Sequence, residues 1–181
     1  MSGRAGKHSV KRTAPLAVLA LLFSAVALPA EIPTSVEKEQ IPNYQKIRPD
    51  LATSSQPAPE AVRKLKEMGF RTVINLRMPR EGIEKDREVV EELGLRWVSV
   101  PITPVTFSMK DVEAVAKVLD DREAGPTLLY CSSANRVGAV WTVYEVRKGK
   151  SLDEALAEGK KIGLKSPAML DAVQRVVKPA N

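Results

Sequence analysis

Three times along this sequence an amphipathic stretch meets a breaker and then a short β-forming run. In Pro59–Met68, Val62, Leu65 and Met68 share one helical face, Gly69 stops the turn, and Phe70–Leu76 alternates as a strand does. Ile83–Leu93 repeats the device with Val89, Val90 and Leu93, followed by Gly94 and the strand Leu95–Val100. The third unit predicts a helix from Ser108 through Asp120, with Asp111 three residues after Ser108 as a capping-box acid. Gly125-Pro126 then breaks the chain before the buried run Thr127–Tyr130. Helices alternating with strands imply an α/β fold, a mostly parallel central sheet flanked by helices. Beyond Cys131 the pattern is helical only: Val137, Val140, Trp141 and Tyr144 share a face, Ser151 with Glu154 forms a second capping box, and Ser166-Pro167 opens a last helix. These three helices predict a helical C-terminal layer. Ile41–Leu51 suits a short edge strand, and Ala52–Pro59 reads as a loop rich in Ser and Pro.

The first thirty residues have a different character. Arg4, Lys7, Lys11 and Arg12 precede the apolar run Leu16–Phe23, and small residues follow at Ala25-Val26-Ala27 and Ala30. The run is shorter than the ~20 residues a membrane span needs. Residues 1–30 therefore read as a secretory signal peptide, with an uncleaved anchor as the alternative. Residues 31–42 read as a polar linker, and 43–178 as one domain. An exported chain, periplasmic or secreted, with no stable membrane insertion after cleavage is the expectation.

Removing that segment changes what the composition allows. Four of the 28 Lys+Arg lie in it and none of the 22 Asp+Glu, so the net charge falls from +6 to +2. No basic cluster is interleaved with aromatics, and nucleic-acid binding has no support. The single histidine, His8, also lies there. The mature chain then has no imidazole for Ser-His-Asp or Cys-His catalysis or for a His-ligated metal site. One cysteine, Cys131, excludes an internal disulfide and the usual structural zinc sites. No metal or other cofactor is expected.

Cys131 ends a buried strand and opens the segment Ser132-Ser133-Ala134-Asn135-Arg136, which leads into a helix. In open parallel sheets ligands bind at the carboxyl ends of strands. A tight loop entering a helix presents backbone N–H groups and partial positive charge to an anion. Arg136 can add a two-pronged fork for two oxygens. The same field favours thiolate over thiol at Cys131. A thiolate beneath a tetrahedral anion is placed for attack on phosphorus, giving a cysteinyl-phosphate that water hydrolyses. The plainer alternatives are an inert core cysteine and a helix-start arginine in solvent.

Read as a set, Ser55-Gln56-Pro57, Val73–Arg77, Glu81, Gly94-Leu95, Val100-Pro101-Ile102 and Cys131–Gly138 carry a resemblance over residues 43–165. The loop resembles that of cysteine-dependent tyrosine and dual-specificity phosphatases. More closely, the chain is similar to the bacterial phosphatase-like family related to the N-terminal part of beta-lactamase-hydrolase-like proteins. The resemblance implies a cysteine-phosphatase fold, with Cys131 as nucleophile and Arg136 as phosphate-binding residue in the loop Ser132–Arg136. A phosphorylated protein or small phosphoester would be the substrate.

The chain departs from the broad phosphatase signature in five ways. Four residues separate Cys131 from Arg136 instead of five, Tyr130 stands for the histidine, and Ala134 stands for the loop glycine. If position 134 needs a left-handed backbone, alanine costs about 1 kcal/mol there. Val137 replaces the hydroxyl residue after the arginine, and Val100–Phe107, where a general-acid aspartate is expected, has no carboxylate. Glu81 and Asp111 are the candidate acids, each with a bland alternative: an exposed helix-start acid and a capping acid. Without an acid a phenolic leaving group is still feasible, so aryl phosphates are the expected substrates, and two further readings compete with this one. A rhodanese-like sulfurtransferase shares the four-residue gap but would return to a strand after the loop helix. A catalytically impaired module would hold a phosphate or similar anion without turnover.

Overall fold

The computed structural model describes residues 31–178, so the signal-peptide reading of residues 1–30 lies outside the described residues. Five short strands form one sheet: β1 (Gln45–Arg48), β2 (Leu51–Ser54), β3 (Thr72–Asn75), β4 (Arg96–Ser99) and β5 (Thr127–Tyr130). Their spatial order is β1-β2-β5-β3-β4. β2, β5, β3 and β4 run parallel, and β1 is antiparallel at one edge. The helices are α1 (Pro59–Val62), α2 (Glu84–Glu92), α3 (Met109–Leu119), α4 (Asn135–Arg147), α5 (Leu152–Ile162) and α6 (Pro167–Val177). The α/β architecture with a mostly parallel sheet, helices on both faces and a helical C-terminal layer is as the pattern predicts.

Strand alternation sorts the two faces. Leu128 and Tyr130 of β5 join Ala52, Val73, Val62, Leu65 and Val90 in a core beneath α1 and α2. Leu129 and Cys131 face the other way, into the larger core built from α3, α4 and α6. The same alternation that buries Leu129 therefore delivers Cys131 to the thicker layer, at the carboxyl end of the central strand.

Three segments differ from expectation. Residues 31–42, read as a linker, pack on the domain: Ile32 and Ile41 are buried, and the Tyr44 hydroxyl donates to the Pro33 carbonyl. Their apolar residues lack periodicity because they cover the end of a core rather than line a helix. Leu51–Ser54, read largely as loop, is the second strand and is wholly buried between β1 and β5. Its Ala and Ser are weak β-formers by propensity, and their small size suits a strand covered on both faces. Helix Pro59–Met68 is regular only through Val62, because Lys64 and Leu65 donate three residues back, to Ala61 and Val62, which tightens the turn.

Candidate active site

The loop after β5 owes its shape to one residue. Ala134 has φ 61° and ψ −1°, a left-handed conformation that turns the chain into α4. The first helical bond runs from Gly138 N–H to the Ala134 carbonyl (2.9 Å), so the amides just before it precede the helical ladder. The loop is braced from behind by the α5–α6 turn. Asn135 Oδ1 accepts the backbone N–H groups of Lys165 (2.9 Å) and Ser166 (3.1 Å). Gly163 lies so close that a Cβ there would come within 2.8 Å of the Ala134 methyl. α4 meets α5 backbone to backbone, since a Cβ on Gly138 would lie 2.4 Å from the Gly159 carbonyl oxygen.

Arg136 is tied down at its outer end. Nη1 donates to Glu81 Oε2 (2.7 Å) and Nη2 to Glu81 Oε1 (2.8 Å), so the expected fork is closed on a carboxylate. Nη2 also donates to Ser132 Oγ (2.9 Å), whose hydroxyl donates to Glu81 Oε1 (2.6 Å). Nη1 reaches the carbonyls of Leu76 (3.2 Å) and Ile102 (3.3 Å), beyond the ends of β3 and β4. Among the described residues, Nε–H alone of the guanidinium has no oxygen partner. Burial acts to lower the Arg136 pKa, but Glu81 and the neighbouring Cys131 outweigh it and raise it. Cys131 itself is fully buried.

Glu81 is therefore a carboxylate with every lone pair directed. Arg136 is the main cause of its depressed pKa, with help from Ser132 and the Met78 N–H against a desolvation penalty, and the result is about 2. It faces the loop, as its position after β3 allowed, yet it is deprotonated at any physiological pH. Asp111, the other candidate acid, caps α3: its Oδ2 accepts from Ser108 N–H (2.9 Å) and Ser108 Oγ (2.8 Å). The structure thus brings Cys131, Ser132, Arg136 and Glu81 together and leaves Asp111 in its capping role.

A buried support beneath the loop was not read from the sequence. Arg77 Nη1 pairs with Asp86 Oδ2 (3.1 Å), which also accepts from the Tyr130 hydroxyl (3.1 Å). Arg77 Nη2 donates to the Glu81 carbonyl. Burial chiefly, then Asp86, raises the Tyr130 pKa, so the phenol stays neutral. Tyr130, in the place of the signature histidine, thereby anchors β5 to α2, and Arg77 holds the turn that carries Glu81. The available signal was an arginine ending an apolar strand, nine residues before an aspartate on a helix.

The cleft over the loop measures about 320 Å³ and is lined by Met78, Arg80, Ile102, Pro104, Asn135 and Arg136, among others. The turn at its rim is pinned: Thr103 and Thr106 exchange hydrogen bonds, and Arg175 Nη2 donates to the Pro104 carbonyl (2.8 Å). A larger hollow of about 460 Å³ lies between β1 and the α4–α5 pair, where Lys150 sits between Glu145 and Glu158. It holds no nucleophile. Among the described residues, no cluster of His, Cys, Asp and Glu is arranged for a metal, and no helix is long and apolar enough to cross a membrane.

This geometry has known counterparts. Residues 43–147 match the model of the phosphatase-like domain of beta-lactamase hydrolase-like proteins. A beta-lactamase hydrolase-like protein of Xylella fastidiosa is 28% identical over 115 residues, which cover 60% of this chain and 26% of that one. The chain thus spans about a quarter of the length of the curated relatives it matches. In three dimensions it is similar to TpbA of P. aeruginosa, with TM-score 0.63, 24% identity, and coverage of 84% of this chain and 92% of that one. A cysteine-to-serine variant of TpbA in complex with pTyr is equally similar in fold (TM-score 0.63, 23% identity, 84% and 91% coverage). The core catalytic domain of the PP-IP phosphatase SIW14 of S. cerevisiae shares the fold at 16% identity, with TM-score 0.65 and coverage of 78% and 88%.

Proposed function

Because the chain belongs to the family of phosphatase-like domains of beta-lactamase hydrolase-like proteins, we propose that it is a cysteine-dependent phosphatase. It hydrolyses aryl phosphate monoesters of the phosphotyrosine type. The observation that carries this reading is the Glu81–Arg136 fork, which fixes a guanidinium beside Cys131 where the central strand ends. The phosphotyrosine held by the TpbA variant supports the same substrate chemistry.

The steps follow from the positions. The phosphate enters over the loop, takes the free amides and Arg136 Nε–H, and competes with Ser132 Oγ for Nη2–H. Cys131 Sγ attacks phosphorus in line, and the P–O bond to the aryl group breaks with its electron pair on oxygen. Loop amides and Arg136 stabilise charge on the equatorial oxygens. Water then attacks phosphorus, the P–S bond breaks, and the pair returns to Sγ. With Glu81 ionised and Asp111 in a cap, no protein acid meets the leaving oxygen. A phenol, with pKa about 10, departs unaided far better than an aliphatic alcohol.

Hydrolysis of 4-nitrophenyl phosphate with rapid acid trapping tests this directly. Label on Cys131 in the natural protein and none in Cys131→Ser is the expected result, and absence of both label and turnover removes the enzyme reading. Phosphoserine peptides are expected to react far more slowly than phosphotyrosine peptides. The sulfurtransferase alternative is opposed by residues 148–178, which form α5 and α6 with no strand. Thiosulfate:cyanide transfer is expected to be absent. Ala134, Val137 and the lack of an acid favour the binding-module alternative instead. It is distinguished by anion binding that survives Cys131→Ser while the natural protein shows no turnover. We also propose export, on residues 1–30, which N-terminal sequencing of the mature protein tests.

A further inference from the structure

Arg80 is a cation at the cleft that the steps above do not use. It sits between Pro79 and Glu81 on a single 3-10 turn, is exposed, and lines the cleft over the loop. Among the described residues its guanidinium makes no ion pair and no hydrogen bond, whereas Arg136 in the cleft and Arg77 buried beneath the loop are both paired with carboxylates. Arg136 and Glu81 cancel in charge, so Arg80 supplies the surplus positive charge at the mouth. The lining around it mixes apolar Met78, Ile102 and Pro104 with polar Thr103, Ser133 and Asn135. An exposed guanidinium there adds its field to that of the loop and draws anions toward the mouth.

The missing acid gives this cation a purpose. A leaving group that departs unprotonated carries its new negative charge into the cleft, and the carboxylates at hand are committed elsewhere. We propose that the site also cleaves phosphoanhydrides, with the leaving group itself a phosphate whose developing charge is received by Arg80. The inference rests on the cysteine-phosphatase reading and adds a substrate class to it. Cys131 Sγ bonds to the terminal phosphorus, and the bridging P–O bond breaks with its electron pair on the departing phosphate. Water later releases the bound phosphoryl group as inorganic phosphate, restores the thiolate, and loses its proton to solvent. A phosphate with a second pKa of about 6 is a better unprotonated leaving group than a phenol. Arginine presents the planar fork that matches two of its oxygens, which lysine does not.

The experiment measures kcat/KM of the full chain with inorganic pyrophosphate, adenosine 5′-diphosphate, 4-nitrophenyl phosphate and phenyl phosphate. It is repeated with Arg80→Gln and Arg80→Lys. The diphosphates are expected to react at least 10-fold faster than phenyl phosphate. Arg80→Gln is expected to lower the ratio of diphosphate to 4-nitrophenyl phosphate turnover about 10-fold, and Arg80→Lys to restore it in part. Turnover of 4-nitrophenyl phosphate with inert diphosphates overturns this inference and leaves the phosphatase reading standing. An equal loss on both classes in Arg80→Gln overturns it as well. If 4-nitrophenyl phosphate is not turned over and Cys131 is not labelled, the phosphatase reading falls and takes the inference with it.

Discussion

Replacing Glu81 with glutamine separates two roles that a carboxylate at this position could have. Arg136 and Ser132 hold Glu81 from its ordinary 4.5 down to about 2. At about 1.36 kcal/mol per pKa unit that shift corresponds to at most about 3.4 kcal/mol of folding free energy. The side chain keeps 28% exposure, so solvent screening reduces the usable part to about 1–1.5 kcal/mol. The sign follows from a depressed pKa: the contribution is complete above 4.5 and is lost as pH falls from 4.5 through 2. Urea unfolding at pH 7 should show Glu81→Gln less stable by about 1–1.5 kcal/mol, with the gap less than half as large at pH 3. The kinetic signature is sharper. A freed Arg136 loses its fixed orientation, and kcat/KM should fall about 10- to 100-fold by the same factor for every aryl phosphate. A general acid would instead give losses that grow with leaving-group pKa and vanish for 4-nitrophenol. Losses that scale in that way, or a variant as stable as the parent at pH 7, would refute the reasoning.

The other predictions concern the loop and its supports. Asp111→Ala should cost about 1 kcal/mol through the lost cap of α3 and leave kcat on 4-nitrophenyl phosphate unchanged, as thermal melts and steady-state rates will show. Ala134→Gly should raise the melting temperature, since relief of the left-handed alanine is worth about 1 kcal/mol against a smaller entropic loss. Asn135→Ala removes the acceptor of two backbone N–H groups at a partly exposed turn, costs about 1 kcal/mol, and should raise KM for aryl phosphates as the loop loses its brace.

The central strand, the loop and the helix after it were legible because their signals are local. Thr127–Tyr130 is a strand by pattern and by structure, and the partners in the Ser108–Asp111 and Ser151–Glu154 boxes are three positions apart. The cost assigned in advance to Ala134 also depended only on neighbours. What was hidden lies in long contacts and in exchanges of role. Glu81 and Arg136 are 55 residues apart, and nothing in either neighbourhood distinguishes a carboxylate that donates a proton from one that holds a guanidinium. Asp86 meets Tyr130 across 44 residues. Ile32 and Ile41 were hidden for another reason, because a chain end that closes a core has no period to reveal it. Arg80 was invisible because an exposed arginine beside a paired glutamate acquires meaning only from the cleft between them.

The bond from Asn135 to Lys165 and Ser166 sets a clock on the site. Every residue of the anion loop is synthesised some thirty residues before its brace. At about 5–20 residues per second that interval lasts one to several seconds. During it the chain carries its thiol, its arginine and its glutamate without the turn that holds the loop against α4. The reactive arrangement is thus acquired late, by completion of the C-terminal layer rather than by synthesis of the reacting residues. A chain ending before Ser166 would contain the full chemical set and still lack the finished loop.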